Sequence, residues 1–290
     1  MDESKELERL DALTERTLKD IQYRQANPDL FRPILTHLDD LDELIGGLME
    51  AEFTVIGGKA KVGKSSILLH LAMAIATSGR GRVDYYSLEE MKRQMAIRAL
   101  TKQTKVTNRT MIRKLILQEY HLDELQEAHN SIADANIDLW IADNIFTPEE
   151  IIERTIAPGS VTRFIAIDYL QLMMLEKEPQ KDYLKWDKIS AMLLRARNEY
   201  GIGIIMTYQI GDNDMAYGTR SIYKDADLLI EVDRKVDKIT EKEEPESMTV
   251  KILRSRVCGS GKCELGFDPA HSRVHNYAKA PGKLLKPLLF

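Results

Sequence analysis

Phe53-Thr-Val-Ile-Gly-Gly-Lys-Ala-Lys-Val-Gly-Lys-Ser-Ser-Ile-Leu-Leu-His-Leu-Ala72 is the stretch that decides the fold of this 290-residue chain. Its first four residues, 53–56, are β-branched or aromatic and predict a short buried strand, while the apolar run Ile67–Ala76 predicts a helix. Between them, residues 58–65 have the phosphate-loop pattern G-x-x-x-x-G-K-S. A strand, a glycine loop and a helix in this order predict a nucleoside triphosphate site. The alternative is a plain glycine turn before a helix.

The residue types of this loop suit a triphosphate and its metal. Glycines let successive N–H groups turn inward around an anion, and the positive end of the helix dipole lies on the same axis. Lys64 can reach the β- and γ-phosphates, and the Ser65 hydroxyl can hold Mg²⁺. We therefore expect the nucleotide to contact Gly58, Lys59, Ala60, Lys61, Val62, Gly63, Lys64, Ser65 and Ser66.

Composition narrows the class of protein. The formal net charge is −5, so any nucleic-acid contact must come from a local basic patch or a pore. The sequence has only two cysteines, Cys258 and Cys263, which is too few for a disulfide framework. They have no nearby pair of histidines, so they make a poor zinc site. No charged-then-apolar leader and no apolar run of membrane-spanning length occurs in the sequence, so we expect a cytoplasmic enzyme with no membrane partner.

Two further predicted strands end in carboxylates. The strand Arg82–Glu89 ends in an acid that can polarise an attacking water, and spacing alone does not separate Glu89 from Glu90. The alternative is an acid in the first turn of a helix. The apolar run Arg163–Asp168 also ends in a carboxylate. A rigid strand that delivers a carboxylate to the cleft suits Mg²⁺, so Asp168 is a candidate metal residue together with Ser65.

The N-terminal segment predicts a separate amphipathic helix. Leucines and isoleucines recur at mostly three- and four-residue spacings over residues 3–25, and Asn27, Pro28 and Pro33 then break the pattern. Two interpretations remain open for this helix. It packs on its own domain, or it docks on a neighbouring subunit.

Three motifs together resemble the motor domain of DnaB-type replicative helicases. They are Tyr85-Tyr-Ser-Leu-Glu89, Ile167-Asp-Tyr-Leu-Gln-Leu-Met173 and Lys224-Asp-Ala-Asp227. The resemblance implies an α/β fold, a RecA-like P-loop NTPase domain with a central mostly parallel sheet. It places this domain at residues 35–290, preceded by a linker helix and connector at residues 1–34.

The same resemblance implies roles for residues around the nucleotide, which would be ATP with Mg²⁺. Beside the catalytic lysine Lys64, it favours Glu89 over Glu90 as the residue that activates water. The family usually has Met directly after that glutamate, whereas here Glu90 intervenes before Met91. Gln209, at the end of a later strand, matches a glutamine that senses the γ-phosphate.

Two arginines end a further predicted strand, Met248–Arg256, which a glycine-containing turn joins to another strand as a hairpin. In the resembling helicases this hairpin presents a basic pair to the ATP of the neighbouring subunit. Arg256 matches the arginine finger, and Arg254 stands where the family more often has lysine. The alternative is a pair of solvated strand-end arginines.

DNA contacts are expected in the polar loop Gly211–Arg220. Its counterpart in the family touches the DNA backbone, and Gly218, Thr219 and Arg220 fall near the contacting positions, although this loop is shorter. Backbone N–H groups and one arginine suit phosphates. The resemblance thus implies single-stranded DNA and forked duplex as partners.

The resemblance implies an ATP-dependent DNA helicase that translocates as a ring, expected to be a hexamer, and unwinds duplex during replication. A helicase loader or a primase is a further candidate partner. The helical domain that receives the primase in those helicases is not part of the printed sequence. The alternative function is a RecA-like DNA-dependent ATPase that remodels or regulates without unwinding.

Overall fold

A single large β-sheet organises the chain. The computed structural model describes residues 7–114, 117–177, 179, 182–211, 220–236 and 243–277. The described strands are β1 Phe53–Gly58, β2 Arg82–Ser87, β3 Leu139–Ala142, β4 Thr162–Asp168, β5 Gly203–Gln209, β6 Leu228–Val236, β7 Glu243–Ser255, β8 Gly261–Asp268 and β9 Arg273–Asn276. The described α-helices are α1 Leu10–Ala26, α2 Pro28–Phe31, α3 Asp39–Ile45, α4 Lys64–Thr77, α5 Lys92–Thr101, α6 Glu119–Asp134, α7 Pro148–Thr155, α8 Asp182–Tyr200 and α9 Arg220–Asp225.

The strands lie in the order β3-β2-β4-β5-β1-β6-β7-β8-β9. From β3 to β6 every neighbouring pair is parallel, and from β6 to β9 every pair is antiparallel. The expected mostly parallel central sheet is therefore confirmed. Because β1 lies between β5 and β6, the loop that follows it opens at the middle of the sheet, where ligands bind in open α/β folds.

Two hydrophobic cores cover the two faces of the sheet. On one face, α4 is buried along almost its whole length, from Ser66 to Ala76, as its continuous apolar sequence requires. On the other face, Ile189 and Leu193 of α8 pack with Ile151 of α7 against β1, β4 and β5. The central strands β1, β4 and β5 are thus buried on both sides, which holds their ends in fixed positions.

Helix α1 confirms the predicted N-terminal helix from Leu10 onward, whereas residues 7–9 are described and lie outside it. None of its residues is buried, and Leu10, Leu18 and Ile21 are among its exposed apolar side chains. Near its end, the ring of Tyr23 meets that of Phe31 edge-on at a centroid distance of 5.9 Å. The helix therefore makes little contact with the sheet domain of its own chain.

Two boundaries differ from the sequence-based expectation. Strand β2 ends at Ser87 and not at Glu89, because the Ser87 hydroxyl donates a 2.6 Å hydrogen bond to the Glu90 carbonyl and turns the chain. The sequence also predicts a helix over Thr107–Leu117, whereas the structure has a π-helix at Thr110–Lys114, with residues 115 and 116 outside the described part.

The remaining expectations on the scaffold concern the hairpin and membranes. Strands β7 and β8 form the expected antiparallel hairpin, and Cys258 and Cys263 are both free thiols. Within the described ranges, no helix has the length and apolarity needed to cross a membrane.

Candidate functional site

The phosphate loop lies between the last residue of β1 and the first of α4, as the sequence predicts. Gly63 is the N-cap residue of α4 and has a φ of +107°. Glycine adopts this conformation readily because it has no Cβ. A Cβ at Gly58 would stand 2.5 Å from the carbonyl oxygen of Val232 on the adjacent strand β6. Both motif glycines are therefore required by the backbone path of the loop itself.

Lys64, the first residue of α4, is 9% exposed, and its Nζ donates a 2.6 Å hydrogen bond to the carbonyl of Lys59. Burial lowers the pKa of its amine, while the negative charges of Asp168 and Glu89 act in the opposite direction. A partly desolvated cation held inside an anion-binding loop interacts strongly with phosphate, because screening by water is weak there.

Asp168 ends β4 on the same edge of the sheet and is 3% exposed. Its Oδ1 accepts a 2.6 Å hydrogen bond from the hydroxyl of Thr207, and its Oδ2 accepts a 3.1 Å bond from the hydroxyl of Tyr85. These donors sit on β5 and β2, the strands on either side of β4. Two neighbouring strands thus fix the orientation of the carboxylate.

Glu89 follows β2 and faces the same group of charges. Although Glu89 is exposed, partial desolvation raises the pKa of its carboxyl, and the charges of Asp168 and Glu90 raise it further, against the opposing effects of Lys64 and Arg98. A carboxylate with a raised pKa is a stronger base, which suits the activation of water. Glu90, which spacing could not separate from Glu89, is instead engaged with Arg98 at 2.5 Å.

Gln209 ends β5 and pairs in register with Gly58 at the end of β1. Its backbone N–H donates to Oε1 of Gln171 at 3.1 Å, and Nε2 of Gln171 donates back to its carbonyl at 2.8 Å. This reciprocal pair fixes the backbone of Gln209 and leaves its exposed side chain beside the loop. The structure therefore brings Lys64, Glu89, Asp168 and Gln209 to one edge of the sheet.

Arg254 and Arg256 lie at the opposite edge of the sheet. Arg254 pairs with Leu229 near the start of β6, and its Nη1 donates to the carbonyls of Tyr223 and Lys224 at the end of α9. Arg256 pairs with Asp227, whose carboxylate also accepts from the N–H of Phe53, the first residue of β1. The structure therefore does not bring these arginines to the phosphate loop of their own chain.

The expected DNA contacts fall mostly outside the described residues. Gly218 and Thr219 lie in the undescribed range 212–219, and Arg220 is the first residue of α9. These three positions stay predictions.

The residues at the edge fit Mg²⁺ bound together with a triphosphate. In the described ranges, no group of three or more His, Cys, Asp and Glu side chains forms a metal cage. Mg²⁺ takes one or two protein oxygens and completes its shell with phosphates and water, so it needs no such cage. Ser65 beside the loop and the buried, oriented Asp168 supply oxygens of that type.

The sequence does not predict the residues whose hydrogen bonds and ion pairs orient the site side chains, although it predicts the site side chains themselves. Thr207 and Tyr85 orient Asp168, Gln171 holds Gln209, and Asp227 holds Arg256. Tyr85, Gln171 and Asp227 lie inside the quoted motifs, and Thr207 lies two residues before Gln209. Their hydrogen bonds depend on strand neighbours that the sequence order does not reveal.

Comparisons with known proteins identify the family of this chain. Residues 33–276 match the protein family described as "DnaB-like helicase C terminal domain". The chain is 25% identical over 262 residues to the "Replicative DNA helicase DnaB" of Treponema pallidum (strain Nichols), which covers 87% of this chain and 58% of that protein. It is 31% identical over 174 residues to the "DNA repair protein RadA" of Campylobacter jejuni subsp. jejuni, covering 60% of this chain and 36% of that protein.

Solved structures show the same fold. The chain is similar, with a TM-score of 0.77 and 20% identity, to a solved structure whose title describes an ATPase domain, over 94% of this chain and 100% of that one. A structure titled "The Structure Of A DnaB-Like Replicative Helicase And Its Interactions With Primase" matches with a TM-score of 0.74 and 20% identity, over 86% of this chain and 64% of that one. The expected RecA-like ATPase fold is therefore confirmed, while the chain spans less than two thirds of the helicase from Treponema.

Proposed function

The chain belongs to the family of DnaB-like helicase C-terminal domains, and from that premise we propose that it is the ATP-hydrolysing motor of a replicative DNA helicase. One observation carries the proposal: Lys64, Glu89 and Asp168 converge at the edge where the phosphate loop opens. This set suits phosphoryl transfer to water, which depends on positioning and charge stabilisation. The RecA-like motor would comprise residues 35–290, with residues 1–34 as linker helix and connector.

Each residue has a role that its position supports. The loop N–H groups and Lys64 would bind the phosphates, and Ser65 with Asp168 would hold Mg²⁺, which neutralises charge on the phosphate oxygens when bound. Glu89 would accept a proton from the attacking water, because its carboxyl has a raised pKa beside the loop. Gln209 would contact the γ-phosphate from the end of β5.

A ring of several copies would explain why the arginines and the phosphate loop lie at opposite edges of the sheet. Arg254 and Arg256 lie at the edge away from the phosphate loop, so they would reach ATP only in a neighbouring copy of the chain. An arginine supplied in trans accelerates phosphoryl transfer by about 10³–10⁵-fold in related systems. The exposed apolar residues of α1 offer a second contact between copies. We therefore propose a ring, with a hexamer as its expected size.

Single-stranded DNA would pass through this ring. Gly218, Thr219 and Arg220 remain the proposed backbone contacts, and hydrolysis between copies would move this loop along the strand. A primase or a helicase loader is proposed as a partner only through the family, since one of the similar structures is titled for its interactions with primase.

The test is ATP-dependent strand separation on a forked DNA duplex with single-stranded tails. We expect separation by the wild-type chain and none by Lys64→Ala, which loses the phosphate-binding cation. Lys105→Ala is the matched control, because Lys105 is an exposed lysine away from the loop. Hydrolysis that DNA stimulates, without separation, would favour the remodelling ATPase. Hydrolysis unchanged in Lys64→Ala would overturn the site itself.

A further inference from the structure

Glu90 stands where the resembling helicases usually have methionine, and the structure gives it an extensive set of contacts. Its side chain accepts two hydrogen bonds from the guanidinium of Arg98, from Nε at 2.7 Å and from Nη2 at 2.5 Å. Its main-chain carbonyl accepts a 2.6 Å bond from the hydroxyl of Ser87. Glu90 is thus fixed through both its backbone and its carboxylate, immediately after the proposed catalytic glutamate.

Arg98 is itself held by a second segment of the chain. Its Nη1 donates a 2.9 Å hydrogen bond to the hydroxyl of Ser272, which also accepts a 2.8 Å bond from Nδ2 of Asn108. Burial acts to lower the pKa of Arg98, but the bonds and charge of Glu90 outweigh it, and the pKa is raised. The pair is therefore a bidentate, partly buried ion pair whose arginine is also held by Ser272. Bidentate pairs of this kind are among the stronger hydrogen-bonded interactions in proteins.

The side chain of Glu89 has no such support. It is exposed, and within the described part of the chain it makes neither a hydrogen bond nor an ion pair. The residues around it are fixed: Ser87 ends β2 in register with Asp168, and Glu90 is tied to α5 through Arg98. The direction of the Glu89 side chain is consequently set by the backbone on its two sides.

We propose that Glu90 and Arg98 form a positioning pair that holds the backbone of Glu89 so that its carboxylate points to the attacking water. Neither residue touches the nucleotide in this arrangement; both act through Glu89. The inference rests on the proposed ATP hydrolysis. It also assigns a role to Glu90, a position where the sequence departs from the family pattern.

Steady-state ATP hydrolysis tests this pair. We expect Glu90→Gln and Arg98→Met each to lower kcat by about 10- to 100-fold, the cost of a small misplacement of a reacting group. The KM for ATP should stay within about twofold, because the phosphate loop is intact. The matched control is Glu50→Gln, which removes a partly buried ion pair with Arg80 beside the start of β1, away from the phosphate loop.

Charge reversal separates positioning from catalysis by Glu90 itself. Glu90→Arg and Arg98→Glu alone should be as slow as the single neutral variants, whereas the double variant restores the pair and should regain most of kcat. Loss of activity in the double variant, with Glu89→Gln still active, would instead make Glu90 the base and overturn the proposal. So would wild-type kcat in Glu90→Gln.

Two further measurements keep the outcomes distinct. If Glu90→Gln melts below the assay temperature, Arg98→Lys replaces it as the test variant. Lysine keeps the positive charge and most of the burial but loses the two-nitrogen geometry of the guanidinium. A wild-type kcat in Arg98→Lys would also contradict the proposed positioning pair. Wild-type hydrolysis that Lys64→Ala abolishes shows that the proposed ATP hydrolysis at this site holds, so a negative result at Glu90 then counts against this inference alone.

Discussion

The guanidinium of Arg256 lies 3.0 Å from Oδ1 of Asp227, at the edge of the sheet opposite the phosphate loop. The same carboxylate is ion-paired with Arg197 and accepts a 2.9 Å hydrogen bond from the N–H of Phe53. Asp227 is therefore anchored to the start of β1, whereas the side chain of Arg256 is 52% exposed. Asp227 therefore holds Arg256 in place while its side chain stays accessible, which suits an arginine that contacts a second molecule.

The first prediction follows from this separation of Arg256 and Lys64. Arg256→Ala and Lys64→Ala chains should each be inactive alone, and mixtures of the two should regain part of the ATPase activity. Where an Arg256→Ala chain meets a Lys64→Ala neighbour, an intact phosphate loop faces an intact arginine. Hydrolysis measured across mixing ratios checks this. If no ratio restores activity, Arg256 does not act between copies.

The second prediction concerns the hydrogen bond between Thr207 and Asp168. Thr207→Val leaves a buried carboxylate without its 2.6 Å donor, and we expect it to lower the free energy of unfolding by about 1.5–3 kcal/mol. Thr207→Ser keeps the hydroxyl and is the matched control. Urea unfolding of the nucleotide-free protein measures the difference. Equal stability of the two variants would mean that the bond does not hold Asp168.

The ease of predicting this site from sequence differed between its parts. The phosphate loop and the acid at the end of β4 were predictable because their chemistry lies in consecutive residues: Gly58 to Ser65, and the apolar run to Asp168. Spacing alone does not show which of Glu89 and Glu90 activates water. The difference between them lies in Arg98, eight positions after Glu90, which forms an ion pair with Glu90 across the turn after β2.

The fold shows the same division. Strands with strong apolar runs, such as β1 and β4, are predictable from the sequence. The mostly parallel sheet is predicted by the family resemblance and not by the residues alone. The π-helix at Thr110–Lys114 was not predicted, because the apolar spacing there resembles that of an α-helix. Strand β6 was also missed: it begins directly after the Lys224–Asp227 motif, and its charged residues interrupt the alternation that signals a strand.

The third prediction uses His70, which is buried in α4 and bonds through Nε2 to the carbonyl of Thr36 at 2.8 Å. Burial lowers the pKa of His70 to about 3, with the charge of Lys102 as the next cause. The neutral ring is favoured in the folded state, so the unfolded state binds more protons below pH 6.5. Stability should therefore be full above pH 6.5 and fall as the pH drops towards 3, by about 1.4 kcal/mol per pH unit.

Unfolding free energies of the wild type and His70→Gln, measured from pH 7 to pH 4, check this slope. The difference between the two should shrink as the pH falls, because only the wild type gains a proton at this position when it unfolds. His129→Gln, at an exposed position of α6, should follow the wild type at every pH. A slope that is the same in His70→Gln and the wild type would contradict the assignment.

The last prediction is that Lys102→Met stabilises the protein. Lys102 is 6% exposed, and its amine has one long hydrogen bond, 3.3 Å to the carbonyl of Ser272. Burial, followed by the charges of Arg273 and Arg98, lowers its pKa to about 7. Because the unfolded amine stays charged up to about pH 10.5, the wild type should become more stable as the pH rises from 7 to 10.

Methionine keeps the length of the side chain and removes the cost of burying an amine beside two arginines. Lys102→Met should raise the free energy of unfolding at pH 7.5 by about 1 kcal/mol or more and flatten the rise between pH 7 and 10. Lys105→Met, at an exposed position three residues on, should do neither. A lower stability of Lys102→Met, with the rise unchanged, would show that the bond to Ser272 outweighs the desolvation of the amine.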